Sequence, residues 1–360
     1  MTIKLDIATQ RLHNQKLSRT TFKQPEQVVA WLGVVQAQDY AAAKWAVAQR
    51  TKGITDASMD QALADGTILR THILRPTWHF VTPADIRWML ALTAPRILAL
   101  SATYFRKLEL DKTTFKRSNN VLTKALQGGN QLTRAELTST LKKNGVFSDD
   151  LLRFTYLMIR AELDGIICSG ARRGKQFTYA LLDERAPLTK ALERDEALAE
   201  LAKRYFTSRG PATLKDYGWW SGLSMEDARK GLEMVKSQFN HEVIDGKTYW
   251  FIESVMTPKD KIPTVYLLPN FDEYIVGYTD RSAVFDTQHY KKLDSRGNIL
   301  FNHIIVINGQ VVGTWKRTIN KSAVAIELSP FTPLTKIEKQ AVDSAMDRYG
   351  AFLDLPVKPI

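Results

Sequence analysis

Residues 36–39 read Gln36-Ala37-Gln38-Asp39 and follow an apolar helical stretch in which Val28, Trp31, Leu32 and Val35 face inward. An amide does not titrate, so paired glutamines offer no general acid or base. What they bring is a set of donors and acceptors that holds a water or stabilises charge appearing during a reaction. Side chains two apart on a continuing helix diverge, so Gln36 and Gln38 serve one site only if the helix ends there. If it continues, they are solvated amides at a helix end. Asp39 is the nearest titratable group, and a structural hydrogen bond is its plainer role. A second stretch, Arg75-Pro76-Thr77-Trp78-His79-Phe80-Val81, alternates in a strand-like way, placing Arg75, Thr77 and His79 on one face and Trp78 and Phe80 on the other. The apolar face belongs to a core. The polar face either meets solvent or lines a site, and spacing leaves both open.

Other chemistries find no support in the sequence. His13, His72, His79, His241, His289 and His303 are scattered without an i,i+4 pair or companion cysteines, so no metal-ligand spacing exists. Gly170 to Gln176 lacks the full spacing of a phosphate-binding loop and the hydroxyl residue after Lys175 that would hold magnesium. Gly218-Trp219-Trp220-Ser221-Gly222 misplaces its serine for a nucleophile elbow, and Trp219 and Trp220 read as core aromatics. Cys168, the only cysteine, sits in an apolar run and reads as a buried, inert thiol.

A chain of 360 residues is long enough for several small domains, each with its own core. Lys and Arg outnumber Asp and Glu by 50 to 38, a net charge of +12 that favours a polyanionic partner, nucleic acid first and an anionic membrane surface second. A single cysteine permits no intramolecular disulfide and suits a reducing compartment. With no apolar leader at Met1 to Asp6 and no run of about 18 apolar residues, the expectation is a soluble, cytoplasmic protein.

Helix starts are marked by recurring Ser/Thr-x-x-acid patterns, which satisfy free backbone N–H groups. Thr82-Pro83-Ala84-Asp85 opens a helix carrying Ile86, Met89, Leu90 and Ile97, and Thr133-Arg134-Ala135-Glu136 opens one that stops at Asn144-Gly145. A third is expected from near Ser148 to Leu163, with Leu152, Tyr156, Ile159 and Leu163 as its apolar stripe and Arg153 and Arg160 on another face. Two short β-runs then flank a basic tip containing Arg172, Arg173 and Lys175. Helix, helix, hairpin is the winged-helix order, a helix-turn-helix variant whose second helix enters the major groove. The order repeats with a helix over about Asp195 to Ser208, caps at Thr213 and Ser224, and a hairpin turning at Asp245-Gly246. The N-terminal stretch fits more loosely, with a helix from Pro25, further helices to about Ala64 and a strand from Leu74 to Val81. After Thr264 strands dominate, Ile299–Ile307 and Gln310–Ile319 turning at Asn308-Gly309, and Thr335 caps a last helix bearing Ile337, Ala341, Ala345 and Phe352. The expected fold is α+β: tandem winged-helix units over 1–115, 116–186 and 187–260, followed by a β-barrel-like domain over 261–360.

Arg11-Leu12-His13-Asn14-Gln15, Val35-Gln36-Ala37-Gln38, Arg75-Pro76-Thr77-Trp78-His79, Arg209-Gly210-Pro211-Ala212-Thr213 with Trp219-Trp220-Ser221-Gly222-Leu223, and Pro269-Asn270-Phe271-Asp272-Glu273-Tyr274 span almost the whole chain. Taken in order, they resemble the AlkZ/YcaQ-type DNA glycosylases. The resemblance implies tandem winged helices and a C-terminal β-domain around a basic, concave DNA channel. It implies excision of N7-alkylated purines from double-stranded DNA, and in some members the unhooking of interstrand crosslinks. The family's catalytic motif, Gln, an aliphatic residue, then Gln or Asp, falls on Gln36, Ala37 and Gln38, with Ala37 an unusually small middle residue. His79 is implied to face the lesion pocket or DNA.

N7-alkylation makes the purine cationic and its glycosidic bond weak, so the leaving base needs no proton. Two glutamines then orient a water beneath C1′ and stabilise the developing oxocarbenium charge through their carbonyls. The implied enzyme is a monomeric, monofunctional hydrolase without metal or cofactor. The rival reading is a winged-helix regulator that binds DNA without breaking a bond. A lipid-binding module would need an amphipathic basic helix that the sequence does not offer.

Overall fold

The computed structural model describes residues 5–146, 150–188, 191–252, 263–293 and 297–359. The first four residues and Ser148, the expected start of the third helix, lie outside the described residues.

The N-terminal unit begins with α1 (Ile7–Asn14), whose first turn is capped by Asp6. Next comes α2 (Pro25–Leu32), with proline at its start, where a missing N–H costs nothing. Gly33 follows at φ +76°, a conformation that side-chain-bearing residues rarely adopt, and ends the helix before the glutamines. The chain passes into β1 (Val35–Gln36) and then, from an Asp39 cap, into α3 (Tyr40–Ala48) and α4 (Asp56–Asp65). β2 (Leu69–Ile73) and β3 (Thr77–Val81) complete a sheet of order β1-β3-β2, and α5 (Pro83–Lys107) follows.

The single strand expected over Leu74–Val81 is therefore corrected to two strands. Leu74, at φ +59°, lies in the turn between them. β2 escapes a sequence reading because Arg70, Thr71 and His72 interrupt its apolar pattern, although all five of its residues are buried.

The second unit runs α6 (Lys112–Leu126), β4 (Leu132–Thr133), α7 (Arg134–Lys143), α8 (Leu151–Leu163), β5 (Ile167–Ser169), β6 (Thr178–Leu181) and α9 (Leu182–Arg185), with sheet order β4-β6-β5. Thr133 and Glu136 form a reciprocal capping box on α7, as their spacing predicts. The expected stripe on α8 is corrected. Leu152 is 52% exposed, whereas Phe154, Leu157, Met158 and Ala161 form the buried row. Two apolar rows run along this helix at helical spacing, and packing against α6 selects the one carrying Phe154. Cys168 is fully buried and its thiol is pushed up to about 12 by desolvation, the environment of an inert cysteine.

The third unit contains α10 (Arg194–Arg209), α11 (Leu214–Ser221), α12 (Met225–Val235) and the hairpin β7 (Asn240–Ile244) to β8 (Lys247–Phe251). The C-terminal part contains β9 (Val265–Leu268), α13 (Glu273–Val276), β10 (Ile304–Ile307), β11 (Gln310–Ile319), β12 (Val324–Pro330), α14 (Lys336–Leu353) and β13 (Val357–Pro359). Its sheet, of order β13-β12-β11-β10-β9, curls as a half-barrel and does not close among the described residues. Ile299–Phe301 is a short 3₁₀ turn and not the start of β10. On α14 the expected Ile337 is 54% exposed, and Val342, Ala345, Met346, Tyr349 and Phe352 form the buried face.

The cores cross these units. One joins Val34, Leu69 and Ile86 to Tyr205, Trp220 and Tyr278; another joins Val28, Val35 and Phe80 to Leu267, Trp315 and Tyr349. The short sheet bearing the glutamines is thus held between the third unit and the C-terminal sheet. Among the described residues no helix is long and apolar enough to cross a membrane.

Candidate active site

Gln36 lies opposite His79 in the β1–β3 ladder, and the next peptide extends the pairing through Ala37 N–H, which donates to the Trp78 carbonyl at 2.7 Å. Gln36 is only 7% exposed, and its Oε1 accepts from Arg75 Nη2 at 2.7 Å. Gln38 is exposed, and its Oε1 accepts from the Trp78 N–H at 3.3 Å. Guanidinium and peptide N–H are donors only, so each pairing fixes which end of the amide is which. Both side-chain carbonyls are anchored, and among the described residues nothing accepts from either Nε2. Between them, Ala37 is fully buried, with its carbonyl accepting from Arg70 Nε and Nη2 at 3.1 Å each.

Beneath this segment Glu273, fully buried at the start of α13, accepts four hydrogen bonds. Its Oε1 takes the Gln36 N–H at 2.9 Å; its Oε2 takes Arg209 Nη2 at 2.6 Å, Arg209 Nε at 3.1 Å and Trp220 Nε1 at 3.1 Å. Arg209 spends its remaining donors on the Leu32 and Val34 carbonyls, at 2.7 and 3.1 Å, around the Gly33 break, and on Ser208 Oγ at 3.0 Å. A neighbouring pair, Arg50 with Asp272 at 2.7 Å, is also buried and carries Gln15. Arg11 and Asn14 reach the Pro211 and Gly210 carbonyls at 3.0 and 2.7 Å. The sequence segments that carry the family resemblance are therefore one hydrogen-bonded assembly around the glutamines. Arg75, Arg209 and Glu273 received no role from the sequence, although all three lie in those segments; the missing signal was which segment touches which.

His79 is fully buried behind Gln36. Its Nδ1 donates to the Thr77 carbonyl at 2.9 Å, which fixes the tautomer and leaves Nε2 an acceptor without a partner among the described residues. Burial and the nearby Arg75 charge hold its pKa well below the usual histidine value, so it is neutral. Thr77 Oγ1 is likewise buried and unpartnered among the described residues. Asp39 caps α3 through Ala42 N–H at 3.1 Å and accepts from Asn270 Nδ2 at 3.3 Å, a positioning arrangement. Arg75, lowered to about 10 chiefly by burial, stays protonated at neutral pH.

The basic residues singled out from sequence are mostly engaged internally. Arg153 lies 3.7 Å from Glu109, Arg160 2.8 Å from Asp164, Arg172 3.9 Å from Asp60, and Arg173 2.8 Å from Glu136. Lys175 has no ion-pair partner among the described residues. Trp220 is a core aromatic, as expected, but Trp219 is not. It is 41% exposed, with the Arg75 guanidinium 5.3 Å from its ring. The αL turn at Gly222 ends the helix just after this pair.

The comparisons agree with this architecture. Residues 29–352 match the family described as DNA glycosylase AlkZ-like. The chain is 27% identical over 366 aligned residues, 97% of its own length and 96% of the relative's, to an interstrand DNA cross-link repair glycosylase of Streptomyces sahachiroi. The solved structure of Streptomyces sahachiroi DNA glycosylase AlkZ shares the fold at a TM-score of 0.80 and 22% identity, covering 99% of this chain and 98% of that one. With its family match running through the glutamine segment, the Arg209 clamp and Glu273 alike, the chain belongs to the AlkZ-like DNA glycosylase family.

Proposed function

We propose that this protein hydrolyses the N-glycosidic bond of N7-alkylated, cationic purines in duplex DNA, acting as a monomer without metal, and that its substrates include interstrand cross-links, as the name of its relative states for that protein. The observation that carries this reading is the anchoring of both glutamine carbonyls by donor-only partners. Each carbonyl keeps a second lone pair. A water donating one hydrogen to each carbonyl turns its own lone pair outward, toward C1′ of a bound lesion. As the bond breaks, its electron pair neutralises the alkylated purine. The water oxygen then joins C1′, and its surplus proton passes to solvent. No strong base is required, and neutral His79 and capping Asp39 supply none.

The two glutamines play unequal parts. Gln36 accepts from a cation, so its carbonyl serves to position the water. Gln38 accepts from a neutral peptide N–H and is better suited to stabilise positive charge on the sugar. The three helix-and-hairpin units over 1–115, 116–186 and 187–260 are proposed as winged helices that, with the β-domain over 261–360, present this site to DNA. The net charge of +12 supports a polyanionic partner.

The test is single-turnover release of 7-methylguanine from methylated duplex, with chelator present and with undamaged and cross-linked duplexes in parallel. Activity on the methylated and cross-linked duplexes but not on the undamaged one, insensitive to chelator, is expected. Binding without release would make the protein a regulator.

A further inference from the structure

A cleft of about 710 Å³ opens on the opposite side of β3 from Gln36 and His79, between the N-terminal sheet, the start of α7 and the hairpin of the second unit. Its walls include the rings of Trp78, Phe177 and Tyr179 and the cations Arg70, Arg134 and Lys175, and none of its lining residues is acidic. That volume falls within the range of about 300–1,000 Å³ typical of sites for small organic groups. Arg70 is 7% exposed, its guanidinium 4.0 Å from the Trp78 ring and 4.8 Å from that of Phe177. Phe177 itself is 38% exposed. Lys175, exposed at the hairpin tip, stands at the mouth, and Arg134, the half-buried first residue of α7, lines the cleft while donating to Thr155 Oγ1 at 2.7 Å. The nearby carboxylates are already engaged, Glu136 by Arg173 and Glu162 by His72.

We propose that this cleft binds an unpaired nucleotide of the DNA, with its base stacked on the aromatic wall and its phosphate held by Arg134 and Lys175. The proposal rests on the protein's acting on DNA. Aromatic rings accept any base because every base has a π-face, and a carboxylate-free ring of cations suits phosphate. The nucleotide in the cleft is not the reacting one, because Trp78 and His79 point to opposite faces of β3 and Gln36 lies on the His79 side. It is a neighbour or opposite-strand nucleotide displaced when the duplex opens at the lesion. Arg70 joins the two places, since the guanidinium that backs the aromatic wall also holds the carbonyl between the catalytic glutamines. A seated base therefore bears on the peptide that sets their geometry.

The experiment compares binding, by fluorescence anisotropy, of an undamaged paired duplex and of the same duplex carrying one extra unpaired nucleotide. Wild type is expected to prefer the bulged duplex by about tenfold, the scale of one base–aromatic stack. Phe177→Ala and Ala135→Glu should each bring that ratio to within about twofold of unity. Ala135 is exposed in the first turn of α7, where an acidic residue suits the helix dipole, so Ala135→Glu puts a repelling charge at the mouth without disturbing the fold. Equal wild-type affinity for the two duplexes, or an unchanged ratio in both variants, would overturn the proposal alone. Failure to bind either duplex would overturn the DNA-directed reading as well.

Discussion

Gln36 and Gln38 are near neighbours in sequence, yet removing them should have different consequences. Gln36 is buried and accepts a 2.7 Å bond from a guanidinium that burial already strains. Gln36→Ala leaves that charge short of an acceptor, and hydrogen bonds to charged groups contribute about 1.5–3 kcal/mol. Gln38 is exposed and makes one 3.3 Å bond, so Gln38→Ala should alter stability by less than about 0.5 kcal/mol. Both variants should slow single-turnover 7-methylguanine release by at least about tenfold, roughly 1.4 kcal/mol of barrier, because in the proposed mechanism both amides act on the same water. Gln38→Asp, which keeps an acceptor at the position, should retain part of the activity. Denaturant unfolding of Gln36→Ala, Arg75→Ala and the double variant isolates the pair. Arg75 also loses its contact with Trp219, but only the bond to Gln36 enters the coupling energy. A coupling below about 0.5 kcal/mol, or equal stability of the two glutamine variants, would refute the anchored-carbonyl argument. Wild-type release rates in both would remove the glutamines from the chemistry.

Glu273→Gln sets an amide donor among groups that are themselves donors and leaves Arg209 unpaired; it should cost about 3–5 kcal/mol in denaturant unfolding, and a loss under about 1 kcal/mol would show that the buried pair is dispensable. Because Arg172 and Arg173 are held by Asp60 and Glu136, Lys175→Ala should flatten the log–log salt dependence of duplex binding by about 0.9, with little added by replacing both arginines. A decrease near 2.7 in the triple variant, or none in Lys175→Ala, would contradict that assignment. His79 is held well below its ordinary pKa and His303 is pushed down to about 4, each first by burial. The unfolded chain therefore binds protons that the folded one refuses, and stability falls as pH drops below about 6.5, by up to about 1.4 kcal/mol per unit for each histidine. For His303 the loss levels off near pH 4, and His303→Gln should remove its share in pH-dependent denaturant unfolding.

The parts of the fold legible in sequence are those governed by local rules. The capping boxes at Thr133, Thr213 and Thr335 and the Asp245-Gly246 and Asn308-Gly309 turns stand where their chemistry puts them. The glutamine pair is legible as a motif. Its geometry is not, because Gly33 alone does not announce that the helix ends, and Arg75 and Glu273 reach Gln36 from 39 and 237 residues away. Helical spacing admits two apolar rows on α8, and only packing chooses between them. β2 hides because its buried Arg70 and His72 find partners, Ala37 and Glu162, that lie 33 and 90 residues away.

Glu273 also orders events in the life of the chain. Synthesis runs from the N-terminus, so a ribosome has released both glutamines long before it adds the carboxylate that accepts the Gln36 N–H, 237 residues later. Until then the Gly33 break has no clamp, and Arg209 is a cation with no counter-charge to close on. A nascent chain, or a product cut short before α13, carries the glutamine motif without the clamp that fixes its geometry. A protein that severs bases from the genome is thereby armed late, when three-quarters of its sequence is already in place.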